Sequence, residues 1–429
     1  MRRGGTLPAS SMLQEATALT PIFRVWSRWL IPVLLVGLVA VLWVANRAFV
    51  DAAPARNDFA ARWEGGRAWV SERISPYDPA VSLEAQERVY GRPANEQRGE
   101  DPFHFLYPFL SLMVFAPLGL LDFEPAYALW MSLVEICLFA STWLWCRTLR
   151  WKGSGWTSIA ILAFSVLWFP AFETLILSQV VALEALLLAA GMAAVQARRE
   201  AVAGLLLAAS LLKPQLGIGL ILLVALWAAF SGRRELLGWL ATGVVLMVGA
   251  TLLMQPDWPM QMIRQVLDYA GLPVFLSPVA RLSQSLGFGQ VGVFVLAGLL
   301  LAYLFWEWKE TFGGEEHRFL WTAALTQAVV LLLMPFGIAA NLILLIFPIV
   351  LILQAWYGRQ GRAVDAPATL LLGLFAAGSW LLSLGSLENG EPSLWVLVGF
   401  PLLTIGGLFW VRWWSTRAET WSELGSRAV

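Results

Sequence analysis

Residues 29–50 read WLIPVLLVGLVAVLWVANRAFV, an almost unbroken apolar stretch. A helix of about twenty such residues spans the apolar interior of a bilayer, where backbone groups that face lipid must be paired within their own segment. Comparable stretches recur along most of the 429 residues, of which 59% are hydrophobic and 14% are charged. An ordinary soluble domain is about a quarter charged. The sequence therefore predicts an all-α, polytopic membrane protein.

Twelve apolar segments follow a short N-terminal tail at residues 1–28, and we predict that residues 29–429 form one transmembrane domain. Residues 29–50 lack a clear small-residue cleavage site, so we expect a span rather than a cleaved signal. The weakest pair, at 201–230, is broken at Lys213-Pro214 and is either two spans or a bent pair that does not cross fully. The predicted segments are 29–49, 125–146, 156–174, 178–197, 201–212, 215–230, 236–254, 290–308, 319–334, 341–357, 368–386 and 393–411.

The distribution of lysine and arginine predicts the orientation in a cell membrane. Cytoplasmic loops of membrane proteins are enriched in these residues. If both termini are cytoplasmic, the short outer loops hold only Lys213, Arg264 and Arg281, and most other cations lie inside. Loop 51–124 is then extracytoplasmic. The apolar stretch 105–121 is interrupted by Pro108 and Pro117, and as a full span it would put Arg147, Arg150 and Lys152 outside. We therefore predict a helix at, or dipping into, the outer interface, which forms a surface platform with 58–73.

The polar segment, residues 51–104, carries 17 of the 58 charged residues between two apolar regions. We therefore expect loop 51–124 to contain the catalytic region. Asp58 lies close behind the first span, where partial desolvation would raise its pKa and suit it to act as a general base. The alternative is that Asp58 caps the helix that follows it. His104 and Asp78 are the next candidates for the base.

Lys213 is one of three lysines and lies between two apolar segments. A lysine at membrane depth is costly and is usually paired or functional, so it is a candidate for binding a phosphate. The alternative is a lysine that extends its amine to the interface. Arg281 is a second candidate for a phosphate oxygen. Three further acidic residues within or beside apolar segments, Glu135, Glu173 and Glu184, need partners.

Hydrogen-bonding side chains on the same predicted outer side are candidates for substrate binding. They are Tyr77, Asp78, His104, Tyr107, Gln179, Gln284 and Asn341.

Other classes of site have little support. Net charge is zero, so no nucleic-acid partner is implied. Two histidines and two separated cysteines predict no metal site, and no cofactor is expected. Motifs of soluble nucleotide sites are absent, so an enzyme here would take an activated group from the membrane itself, such as a polyprenyl-phosphate sugar.

An ordered set of short motifs over roughly residues 29–357 resembles glycosyltransferase family 87, whose members are membrane enzymes of the glycosyltransferase C superfamily. The stretches that carry the resemblance are Asp58-Phe59, Trp63, either Gly65 or Gly66, Pro76-Tyr77-Asp78, Tyr107-Pro108, Ser178-Gln179, Ala203-Gly204-Leu205, Lys213-Pro214 and Ser283-Gln284-Ser285-Leu286. The resemblance implies a glycosyltransferase C-type bundle with juxtamembrane helices at its outer surface. It also implies that Asp58 is the catalytic residue.

The resemblance further implies transfer of a sugar, with mannose as the expected one, from a polyprenyl phosphate to a lipid-linked or glycan acceptor with inversion. The sequence departs from the family where an outer turn often has His or Asp, because residues 334–341 hold no ionisable group and Asn341 stands near that position. This departure leaves room for a changed substrate or lost activity. The alternatives are a lipid or solute transporter and an inactive relative that binds glycan lipids.

Overall fold

The computed structural model describes residues 33–52, 58–95, 98–270, 272, 275–312, 316–389 and 393–416. Within these residues the regular structure is helical, which confirms the predicted all-α class. The helices are α1 (Val33–Ala52), α2 (Phe59–Arg67), α3 (Pro79–Tyr90), α4 (Leu112–Leu118), α5 (Phe123–Thr148), α6 (Gly155–Leu167), α7 (Phe169–Ile176), α8 (Val181–Gln196), α9 (Glu200–Ala209), α10 (Pro214–Phe230), α11 (Arg234–Met254), α12 (Trp258–Asp268), α13 (Pro278–Ser285), α14 (Gly289–Thr311), α15 (Glu316–Leu333), α16 (Ile346–Gln360), α17 (Asp365–Asn389) and α18 (Phe400–Ser415).

All twelve predicted apolar segments overlap these helices, but twelve crossings are not confirmed. Six helical stretches are long and apolar enough to cross a membrane, or seven if α6 and α7, which meet at a 47° bend, form one broken span. Four apolar helical stretches are shorter, namely Phe109–Leu118, which includes α4, then α8, α9 with its extension to Leu212, and α10. A straight crossing takes about twenty residues, so length separates these stretches from the rest. The chain is a multi-pass membrane protein.

The bundle is built around helices with small residues at their contacts. Helix α15 is central, because its residues 319–332 are all buried and it packs against α10, α14, α16 and α18. In a second group of helices, α5 packs on α8, α8 on α9, and α9 on α11. Gly204 lets α9 touch the backbone of α11, since a Cβ there would lie 2.5 Å from the Leu240 nitrogen.

The polar segment contributes helices that pack on the chain that follows it. Helix α2 continues into a wide helical turn, Ala68–Glu72, in agreement with the helix expected over 58–73. The stretch 105–121 holds only a 3₁₀ turn, Phe109–Ser111, and α4, too short to cross a membrane. Helix α2 lies directly on α4, because a Cβ on Gly66 would fall 2.3 Å from the Phe115 carbonyl oxygen.

Candidate functional site

Four of the predicted site residues meet at one end of the bundle, and each lies at a break between helices. Asp58 immediately precedes α2, and Gln179 lies between α7 and α8. Lys213 separates a 3₁₀ turn from α10, and Asn341 lies in the 3₁₀ segment Ala339–Leu345. Helix ends already expose unpaired backbone groups, so a polar side chain costs least there.

These four side chains form one chain of hydrogen bonds. The Gln179 amide donates to Oδ2 of Asp58. Lys213 Nζ donates to Asn341 Oδ1 at 2.9 Å and to Gln179 Oε1 at 3.4 Å. Asn341 in turn donates to the Phe336 carbonyl at 2.9 Å. Gln179 therefore stands between a carboxylate and an ammonium group that make no direct ion pair in the described part of the chain.

The chain of hydrogen bonds borders a pocket that holds about 670 Å³ of empty space, part of it open to solvent. Lys213 is only 5% exposed, so its charge is weakly screened there. Five predicted site residues line the pocket, and the structure adds others. The lining residues are Asp58, Ala61, Arg62, Asp101, Phe103, His104, Leu106, Tyr107, Gln179, Lys213, Gln215, Tyr269, Phe336 and Ile338.

Arg62, which the sequence argument did not single out, holds the turn that carries Gln179. It is 1% exposed. One of its terminal nitrogens donates to the Tyr107 hydroxyl at 2.7 Å, and the other donates to the carbonyls of Leu177 at 2.7 Å and Ser178 at 2.9 Å. Ser178 has a φ of 50°, a left-handed conformation that a residue other than glycine adopts only when its surroundings hold it. The hydrogen bond from Arg62 to the Ser178 carbonyl helps to keep Ser178 in this conformation.

Two neighbouring side chains of α7 position the segment that carries Asn341. Glu173 accepts a hydrogen bond from the Ala340 nitrogen, and Thr174 donates to the Ala340 carbonyl at 3.0 Å. Glu135 accepts from the Asn46 amide at 3.3 Å, so two of the three acidic residues in apolar segments have hydrogen-bond partners. The carboxyl group of the third, Glu184, is buried and makes no hydrogen bond within the described residues.

A second polar edge of the pocket consists of Asp101, His104 and Tyr269. Asp101 Oδ1 accepts hydrogen bonds from the Tyr269 hydroxyl and, at 2.7 Å, from the Phe103 nitrogen. Burial, followed by the negative charge of Asp58, raises the pKa of Asp101 to about 6. Asp101 and Tyr269 were missed, because an aspartate in a polar segment and a tyrosine after an amphipathic helix resemble ordinary interfacial residues.

His104 is held at this edge by two neighbours. Its Nδ1 lies 3.0 Å from the Ser82 hydroxyl, and its Nε2 lies 3.6 Å from a carboxylate oxygen of Asp268.

The other predicted residues lie away from the pocket lining. Tyr77 is buried behind it and donates to the Tyr107 carbonyl at 2.6 Å. The exposed Asp78 caps α3 by accepting from the Ala80 nitrogen at 2.9 Å. Arg281 and the exposed Gln284 both belong to α13.

Asp58 does not cap α2 with its side chain, contrary to the alternative considered for it. Instead, its carboxylate is engaged by Gln179. A clustering of three or more histidine, cysteine, aspartate or glutamate side chains suited to a metal ion is absent from the described residues.

Comparison with known proteins gives one match. The family model described as "Glycosyltransferase family 87" matches residues 105–335, more than half of the chain. No curated protein and no solved structure matches the chain. The matched range includes Tyr107, Gln179 and Lys213, whereas Asp58 and Asn341 lie outside it and join the site through the hydrogen bonds above. The chain therefore belongs to glycosyltransferase family 87 and is a membrane glycosyltransferase.

Proposed function

We propose that the protein transfers a sugar, with mannose as the proposed one, from a polyprenyl phosphate to a lipid-linked or glycan acceptor, with inversion at the anomeric carbon. The observation that carries this proposal is that Asp58 and Lys213 line one pocket and are bridged by Gln179. A base and a cation a short distance apart suit a displacement in which one oxygen loses a proton while another gains negative charge.

Asp58 is the proposed base. The Gln179 amide orients its carboxylate through Oδ2, and the half-buried position keeps it accessible from the pocket. The acceptor hydroxyl transfers its proton to Asp58 as its oxygen forms a bond to the anomeric carbon. The bond from that carbon to the phosphate oxygen breaks at the same time, and the lipid phosphate leaves with the electron pair.

Lys213 is the proposed partner of the leaving phosphate. Asn341 and Gln179 hold its amine in place, and Lys213 forms no ion pair in the described part of the chain that would neutralise it. A buried ammonium group stabilises developing negative charge more strongly than one in water. Arg281 remains a candidate for a further phosphate contact, although it does not line the pocket.

The surrounding bundle suits a lipid-bound donor. Apolar side chains on α11 and α14 are exposed along the helices, for example Val245, Leu253, Val291 and Phe294. Such faces lie against acyl or polyprenyl chains at little cost. From the lysine and arginine distribution we place both termini in the cytoplasm of a cell-membrane protein, and loop 51–124 with the pocket on the extracytoplasmic side.

The test is transfer of radiolabelled sugar by the purified full chain in nanodiscs, with a panel of polyprenyl-phosphate sugars. Asp58→Asn keeps an oxygen that can accept from Gln179 but removes the base, so we expect the rate to fall by about 10²- to 10⁴-fold while polyprenyl phosphate still binds. Asp257→Asn is the control, because it makes the same change at an exposed residue ahead of α12.

The possible outcomes separate the alternatives. Equal transfer by wild type and Asp58→Asn would contradict the assignment of the base and direct attention to His104. If wild type binds polyprenyl phosphate but transfers no sugar from any donor, the inactive lipid-binding relative is favoured. Flux of the lipid or a solute across the membrane without turnover would favour a transporter.

A further inference from the structure

The mechanism above uses one edge of the pocket and leaves the other unassigned. Lys213, Gln179 and Asp58 lie along the first edge. The second edge, which we call the Asp101 edge, consists of Asp101, His104 and Tyr269. Residues of both edges line the same pocket, so a molecule at the first edge can also reach the second.

Asp101 is oriented by three hydrogen bonds. Its Oδ1 accepts from the Tyr269 hydroxyl and the Phe103 nitrogen, and its own nitrogen donates to the Tyr90 hydroxyl at 3.0 Å. None of the side-chain hydrogen bonds found in the described part of the chain ends at Oδ2. Because Asp101 lines the pocket, Oδ2 is the oxygen available to accept from a ligand hydroxyl.

The surroundings of this carboxyl are aromatic. The Tyr269 ring contacts Phe336 and His104, each with ring centroids 5.8 Å apart. Phe103 and Phe336 line the pocket with them. A few fixed polar groups among apolar walls are typical of small-ligand sites. A pyranose ring presents both hydroxyl groups and apolar C–H faces, so it matches this combination.

We propose that the Asp101 edge is a hexose-binding subsite, in which Asp101 Oδ2 accepts a hydrogen bond from a sugar hydroxyl and Tyr269 holds the carboxyl in place. This inference rests on the proposed function only in taking a sugar as substrate. The sugar belongs either to the donor or to the acceptor. Both present the same hydroxyl chemistry, and the experiment distinguishes them.

The variant that tests this subsite is Asp101→Asn. Asparagine keeps an oxygen for Tyr269 and Phe103, and it replaces Oδ2 by an amino group that cannot accept. At pH 8 the carboxyl of the wild type is ionised, and a hydrogen bond to a charged group is worth about tenfold or more in affinity. We expect KM for one sugar substrate, either donor or acceptor, to rise by about tenfold or more while KM for the other stays unchanged.

Deoxy-sugar analogues locate the hydroxyl. For the wild type, one deoxy analogue of that substrate should show the same rise in KM of about tenfold or more. For Asp101→Asn, the same analogue should cause no further rise in KM, because the hydrogen bond is already absent. Tyr269→Phe removes the hydroxyl that orients Asp101 and should raise the same KM to a smaller extent. It serves as the second variant if Asp101→Asn does not fold. Asp257→Asn, with the same charge change on exposed surface, should match wild type.

A binding measurement keeps this inference separate from the proposed function. The affinity of wild type for a polyprenyl-phosphate hexose is compared with that for polyprenyl phosphate alone, and binding of a methyl hexoside is measured as the acceptor arm. An affinity gain from the sugar that is lost in Asp101→Asn supports the subsite even if no transfer occurs. Unchanged KM and unchanged binding in both arms would overturn the subsite while leaving transfer intact, and so would a fall in kcat alone.

Discussion

Two clusters of charged side chains in this protein arrange opposite charges in different ways. At one, Glu307 on α14 is fully buried, accepts from Arg412 at 2.7 Å and from the Tyr303 hydroxyl at 2.6 Å, and lies 3.6 Å from Arg318. At the pocket, Asp58 and Lys213 both bind the Gln179 amide instead of each other.

The contrast separates a structural ion pair from a site. Glu307 connects α14 to α15 through Arg318 and to α18 through Arg412, and these two arginines neutralise its charge. Such a pair costs much when one partner is removed, because the other charge is left buried and unpaired. In the pocket, the amide keeps the opposite charges apart, so both remain available to a ligand. The predictions below test whether this distinction between the clusters holds.

Loss of the pocket cation should have the largest effect. In Lys213→Met the proposed leaving phosphate loses its buried positive partner, and we expect the transfer rate to fall by about 10²- to 10³-fold. Lys309→Met, at an exposed lysine near the end of α14, is the control and should transfer normally. Steady-state transfer assays measure both. Full activity in Lys213→Met would show that the pocket cation is structural, like those around Glu307.

Removal of Glu307 should affect stability and spare catalysis. Glu307→Ala leaves Arg412 without its carboxylate and leaves Arg318 with Glu310 alone. Because both arginines are partly exposed, we expect the free energy of unfolding to fall by about 2 kcal/mol. The exposed pair of Arg47 and Asp51 is the comparison, since Asp51→Ala should cost less than about 1 kcal/mol. Denaturant unfolding in detergent measures these values. A changed KM in Glu307→Ala would break the distinction between the clusters.

Arg62 should affect the transfer rate only by positioning the turn that carries Gln179. Arg62→Lys keeps the charge but loses the planar fork that reaches Tyr107 and two carbonyls at once, so Gln179 is held less precisely. We expect kcat to fall by about tenfold, which corresponds to a rise of about 1.4 kcal/mol in the activation free energy, with little change in KM. Arg67→Lys, on the same helix but exposed, should behave like wild type. Equal kcat for wild type and Arg62→Lys would contradict the positioning role.

Asp101 should give the smallest effect, a pH dependence of stability. Its folded-state pKa of about 6 lies above the ordinary 3.8, so folding favours the protonated form. The contribution of the protonated Asp101 carboxyl to folding stability is therefore complete below about pH 4 and is lost as the pH rises through 6. We expect Asp101→Asn to be more stable than wild type at pH 8 by about 1 kcal/mol, because the pocket is partly open to solvent. The difference should disappear at pH 4.

Unfolding of wild type and Asp101→Asn over this pH range measures the effect. His104 also lines the pocket and faces Asp268, but it is present in both proteins and cancels in the comparison. Tyr90, Tyr269 and Asp58, the other ionisable groups that act on Asp101, cancel in the same way. A difference that grows toward low pH would contradict the assigned direction of the pKa.

The structure brings together only some of the predicted site residues, and it joins them across long distances along the chain. Asp58, Gln179, Lys213 and Asn341 were chosen from short motifs and from their places beside apolar segments. Their contacts join residues 121, 34 and 128 positions apart. Arg62, Asp101 and Tyr269 carried no such signal, because their importance comes from burial that the local sequence does not reveal.

Local sequence determined the helices. Apolar stretches of this length pair their backbone groups within themselves, so each is read from its own residues. The stretches that cross a membrane were not determined in this way, because several apolar helices are shorter than the bilayer is thick. Only the tertiary structure decided which helix breaks meet, since this depends on close contacts such as that of Gly66 with α4. The pocket, with one amide between two opposite charges, exists only in that packed arrangement.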